Sequence, residues 1–172
     1  MLLCVYMEDL KKKLKIYIDS NLIENNRAFK YTYENLDLLS EMPKYRNTGS
    51  SINDFIDEHK DNNDFQTMLF KFIDNKNLKD SDVYNRVHID RRLFSKIRNE
   101  NYHPSKETII LLAIALELTE NELDELLDSA SYSLPKNNHF DLIIRFCFIE
   151  NIHDLKDVND LLAMYGCKQF NY

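Results

Sequence analysis

Phe65, Met68, Leu69, Phe72 and Ile73 fall at i, i+3, i+4, i+7 and i+8, the spacing of a helix that buries one face. The same repeat of about 3.6 residues returns along much of the chain and constrains the fold more than any other feature. Only two glycines and three prolines punctuate the 172 residues. That is sparse turn chemistry for a sheet protein of this size. With 44% hydrophobic and 12% aromatic residues, the chain can bury one core, or one core with a smaller packed extension. An all-α fold is expected.

Residues 7–19 set Met7, Leu10, Leu14, Tyr17 and Ile18 at helical spacing with lysines between them. This amphipathic helix reads as a packing helix with a solvated lysine face; an arm or dimerisation helix is the alternative. Between 20 and 46 two patterns compete. Phe29, Tyr31 and Tyr33 alternate with polar residues as in a short strand, whereas Leu36, Leu39 and Met42 suit a helix ending before Pro43. Residues 43–51, with Thr48-Gly49-Ser50-Ser51, are the most loop-like stretch and suggest a boundary, and a short helical piece over 52–59 follows. The chain is accordingly divided into an N-terminal helical extension (1–60), a central domain (61–130) and a C-terminal helical extension (131–172).

In the central domain Asp64 supplies the N-cap of a helix reaching Asn75. The chain turns at 76–79. Ser81 then begins a short helix with Val83, Tyr84 and Val87 inward, and His88 sits in a turn that calls for a positive φ. Asp90 caps a second short helix, 90–98, with Phe94 and Ile97 on one face and Arg91, Arg92 and Lys96 on the other. A basic face opposite an apolar one is what a helix needs to lie in the major groove of DNA. Pro104 and Ser105 start a longer helix to Leu118, whose Thr108, Leu111, Leu112, Ala115 and Leu116 are expected to cover the other helices. Thr119 and Glu122 form a capping-box pattern at the head of 120–129.

The net charge of −7 weighs against a nucleic-acid partner, but its distribution does not. From Lys76 to Lys106 there are eight Lys/Arg and four Asp/Glu. That segment therefore carries +4 and the remainder −11. Such a patch on an acidic body predicts modest, salt-sensitive DNA binding.

Leu78, Val83, Ile89, Phe94, Ile97, Pro104-Ser105, Thr108, Leu112-Ala113-Ile114-Ala115-Leu116 and Leu118 form, without a gap, a pattern that resembles the phage-repressor (Xre, lambda-repressor-like) helix-turn-helix family. Counting the preceding helix, the likeness covers about a third of the chain. It implies a five-helix DNA-binding domain whose second short helix enters the major groove. Arg91, Arg92 and Lys96 would take the family's base-reading positions, with Ser95 beside them. Lys79, Ser81, Arg98 and Lys106 would flank that face as phosphate contacts. Arginine bonds guanine O6 and N7 bidentately, so G-containing half-sites are implied. Three departures stand out: Asp80, followed by Asp82, where the family often has glutamine; Tyr84 in place of a small residue; and His88 in place of the turn glycine.

Beyond the likeness, Phe140, Ile143, Ile144, Cys147 and Phe148 make one helical stripe and Leu155, Val158, Leu161, Leu162 and Tyr165 another. Leu142 and Phe146 fall outside the first stripe, which leaves an apolar face for a partner. Homodimerisation through the flanking regions is expected, with a helical cap on the monomer core as the alternative.

Catalytic and metal patterns are missing. The five histidines are scattered, His103 reads as a solvent or phosphate contact, and His139 and His153 read as helix-edge residues. Cys4, Cys147 and Cys167 are an odd number at long spacings, which suggests reduced thiols in a cytoplasm. Leu2–Tyr6 is too short for a signal peptide before Glu8 and Asp9. Taken together, the sequence predicts a DNA-binding regulator with no enzymatic activity, cofactor, membrane span or evident small-molecule ligand. A protein-binding module that retains the scaffold, such as an antitoxin or a phage-encoded inhibitor, is the rival.

Overall fold

The computed structural model describes residues 2–31, 64–99 and 102–171, with side chains of 6–22 in the first segment. It is all-helical there: α1 (Leu2–Tyr31), α2 (Phe65–Asn75), α3 (Asp80–Arg86), α4 (Arg91–Ile97), α5 (Lys106–Ala115), α6 (Glu120–Ser129), α7 (His139–Ile149) and α8 (Leu155–Met164). No strand occurs among the described residues. Tyr33, the 36–42 helix, the 43–51 boundary and the 52–59 piece lie outside them.

Local capping chemistry sets the starts of these helices. Asp64 accepts from Thr67 N–H at 2.7 Å, Asp90 from Arg92 N–H at 2.6 Å and Ser105 Oγ from Thr108 N–H at 3.3 Å. Thr119 and Glu122 close a reciprocal box, with Thr119 N–H donating to Glu122 Oε2 at 2.7 Å. That backbone hydrogen bond holds the Glu122 carboxyl below its usual range. The helix at 80–86 begins one residue before the expected Ser81. Lys79 cannot accept a cap with its side chain, but its N–H donates to Asp82 Oδ2 at 3.3 Å.

The ends share a device that replaces glycine. Asn77, His88, Glu117, Ser131 and Asn151 all have φ between 50° and 59°, and Gly166 has 65°. After each, the next residue's N–H returns to a carbonyl five positions back. Examples are Ile89 to Tyr84 at 2.9 Å, Leu118 to Ala113 at 3.1 Å and Ile152 to Cys147 at 2.7 Å. Ile89, Leu118 and Ile152 are buried, and their packing offsets the cost of a left-handed residue that is not glycine. Few glycines therefore did not mean few tight turns.

Two central helices are enclosed by the rest. In α5, Ile109, Ile110 and Leu112 through Ala115 are all buried, while Thr108 and Leu111 are half-buried. The helix is thus buried more fully than the expected single stripe, as an all-round apolar helix should be. In α7, Leu142, Ile143, Ile144, Phe146, Cys147 and Phe148 are buried together. Enclosure pushes the Cys147 thiol up to about 12, which makes it an inert core group. α3 packs on α4 and α5, α6 on α2 and α5, and α7 on α1, α6 and α8.

Two expectations change here. The strand reading fails at Phe29 and Tyr31, which belong to α1. No glycine or proline interrupts 2–31, and each residue added to an existing helix gains a hydrogen bond at small cost. The apolar face of α7 is also not left open. Tyr17 lies against Phe146 with ring centroids 5.7 Å apart, and Lys13 reaches Glu150 at 3.4 Å. The α1 helix thus runs antiparallel to α7, and its Leu10, Leu14 and Ile18 are buried.

Candidate nucleic-acid interface

The helix α4 is held by its apolar side. Phe94 is 3% exposed and Ile97 is fully buried. A helix with its side chains is about 10–12 Å across, which a major groove about 12 Å wide admits. Tyr84 of α3 lies against Phe94, with ring centroids 5.6 Å apart. The bulky residue is accommodated half-buried while Val83 takes the inward position. His88 adopts a φ of 54° in the connecting turn, as its position requires.

The opposite side of α4 faces solvent. Arg91, Arg92, Ser95 and Lys96 are all exposed. Among the described residues none of the three cations has an ion-pair partner. Arg91 and Ser95 line a groove of about 350 Å³ between α3 and α4, together with Lys79, Asp80, Ser81, Tyr84, Phe94 and Arg98. Five of the eight residues singled out from the sequence therefore meet at one concave surface. Arg92 and Lys96 lie outside that groove on the same short helix.

Tertiary structure divides the basic segment. Arg98 is ion-paired with Asp80, and its guanidinium carbon lies 4.7 Å from the Phe70 ring centroid. Lys106 is turned away from the groove: its ammonium is 2.6 Å from Asp141 on α7, with side-chain exposures of 23% and 4%. Arg86 donates to the Ala115 carbonyl at 2.9 Å and to Glu117 Oε1 at 3.1 Å, and Lys76 donates to the Glu117 carbonyl at 2.9 Å. Those two cations satisfy carbonyls at the end of α5. Lys79, Arg91, Arg92 and Lys96 remain without an ion pair among the described residues.

Gln66 supports the site and was not anticipated. Buried on α2, it donates through Nε2 to the Asn99 carbonyl at 3.2 Å and the Tyr102 carbonyl at 2.9 Å. It thereby ties down the chain leaving α4. The only available signal was a polar residue beside the apolar stripe of α2. His103 is likewise engaged: its Nε2 donates to the Ala130 carbonyl at 2.9 Å, and its ring lies 5.3 Å from that of Tyr132.

Comparison with family models, curated proteins and solved structures finds no match to this chain. Among the described residues, no group of three His, Cys, Asp or Glu side chains is placed to hold a metal, and no helix is long and apolar enough to cross a membrane.

Proposed function

We propose that this protein is a sequence-specific DNA-binding protein of the lambda-repressor-like helix-turn-helix type, acting as a cytoplasmic transcriptional regulator. One observation carries the reading: α4 is anchored by Phe94 and Ile97 and offers Arg91, Arg92, Ser95 and Lys96 to solvent without competing ion pairs among the described residues. On this reading α4 docks in the major groove, where a bidentate arginine discriminates its base by about 1–3 kcal/mol. Lys79 and Ser81 at the head of α3 meet phosphates and set the register. A homodimer would read two half-sites about one helical turn apart.

A second reading, a protein-binding module built on the same scaffold, is favoured by a different observation. Asp80 and Asp141 already occupy Arg98 and Lys106, so two cations of the basic segment are matched internally.

Selection from a randomised duplex library at low and physiological salt separates the two. Wild type should enrich a two-fold-related sequence, and the Arg91→Ala/Arg92→Ala/Lys96→Ala variant should lose it. Absence of duplex binding at either salt would eliminate the regulator and leave the protein-binding module.

A further inference from the structure

Arg98 is the first residue past α4, and it is held from two sides. The Phe70 ring lies beneath its guanidinium, and the Asp80 carboxylate of α3 pairs with it from the groove. Its side chain is 55% exposed and that of Asp80 is 33% exposed, so the pair stands in contact with water at the edge of the α3–α4 groove. The setting differs from that of Lys106, whose partner Asp141 is buried. Asp80 and Arg98 both line the groove that also contains Lys79, Ser81, Arg91 and Ser95.

A carboxylate and a phosphodiester each present two oxygens sharing one negative charge, and both match the planar fork of a guanidinium. Resting on the DNA-binding reading above, we propose that Asp80 is an intramolecular stand-in for a DNA phosphate. In the free protein it occupies Arg98, and on docking it yields that guanidinium to a backbone oxygen. An exposed ion pair contributes little stability, so the exchange is easily made. Stacking on Phe70 keeps the guanidinium in place while its anionic partner changes. The freed Asp80 remains in water beside Lys79. Asp80 thereby sets the strength of binding without touching a base: the pair must be broken each time DNA docks, and the carboxylate repels phosphates.

The test is a double-mutant cycle on a labelled mixed-sequence duplex, titrated at several salt concentrations with wild type, Asp80→Asn, Arg98→Gln and the double variant. Thermal unfolding is recorded for each protein, and Asp80→Ser substitutes for Asp80→Asn should the latter lower the melting temperature. Asp80→Asn should bind about fivefold tighter, with a log–log salt slope that differs from wild type by well under the roughly 0.9 of a whole phosphate contact, because Arg98 neutralises the same phosphate in both proteins. Arg98→Gln should change wild-type affinity by less than about twofold but remove most of the gain in the Asp80→Asn background. Equal effects of Arg98→Gln in both backgrounds would overturn the exchange, since Asp80 would then act only by repulsion. Wild-type binding that Asp80→Asn leaves unchanged would overturn it too, with the DNA-binding reading intact. If no member of the cycle binds duplex at low salt, the DNA-binding reading itself falls and this inference falls with it.

Discussion

The neighbourhoods of α4 and α7 are both rich in cations, and they use them in opposite ways. Around α7, Arg145 is 15% exposed and donates to Asp124 Oδ2 at 2.9 Å and Oδ1 at 3.0 Å and to Glu120 Oε1 at 2.8 Å. The bonds to Asp124, and then to Glu120, raise its pKa further above the ordinary arginine value. Lys106 meets Asp141, whose Oδ2 also accepts from Asn138 at 2.7 Å. These contacts fasten the C-terminal helices to α5 and α6. Around α4, Arg91, Arg92 and Lys96 stand in water without such partners among the described residues. A largely buried cation matched to carboxylates of neighbouring helices is part of the scaffold. A solvated cation on a rigid helix is free to meet something else.

The contrast breaks most visibly at Arg145. Replacing it with alanine removes its bonds to the Leu134 carbonyl and to Asp124 and Glu120, whose side chains are 44% and 38% exposed, and should cost about 2 kcal/mol in urea unfolding. A loss below about 1 kcal/mol would mean the α7 cluster is as solvent-screened as an ordinary surface pair. A smaller effect sharpens the view of the scaffold through pH. Glu122 has its pKa lowered in the folded state, so its contribution is present above the usual glutamate value of about 4.3 and is lost as pH falls through the folded value. Glu122→Gln should thus be less stable than wild type near neutral pH by about 0.5 kcal/mol. The gap should close in acid, and a gap that persists in acid would assign the loss to packing. Smallest of all is the effect expected at α4. The triple alanine variant at 91, 92 and 96 should differ from wild type in unfolding by less than about 0.5 kcal/mol in total, even though it is the variant expected to abolish DNA selection. A large loss of stability there would show that these cations, too, hold the scaffold together.

Much of the fold is legible residue by residue. Asp64, Asp90, Ser105 and the Thr119–Glu122 box mark helix starts because a capping side chain acts on a backbone group two or three positions away. His88 announces its turn for a similar local reason. The α2 stripe buries Phe65, Leu69, Phe72 and Ile73, leaving Met68 half-buried. Less legible were the full burial of α5 and the length of α1. Apolar periodicity finds one buried face, but it cannot tell how many neighbours an apolar helix will acquire.

The candidate site divides along the same line. Sequence by itself determined that α4 would carry Arg91, Arg92, Ser95 and Lys96 on the side away from Phe94 and Ile97, because helical geometry links those positions over a few residues. Only the tertiary structure decided which basic residues stay available. Arg98 is claimed by Asp80, 18 positions earlier, Arg86 by groups about 30 positions later and Lys106 by Asp141, 35 positions away. The physical reason is range. Capping and periodicity act within a turn or two of helix, whereas an ion pair forms wherever packing brings two charges within about 4 Å.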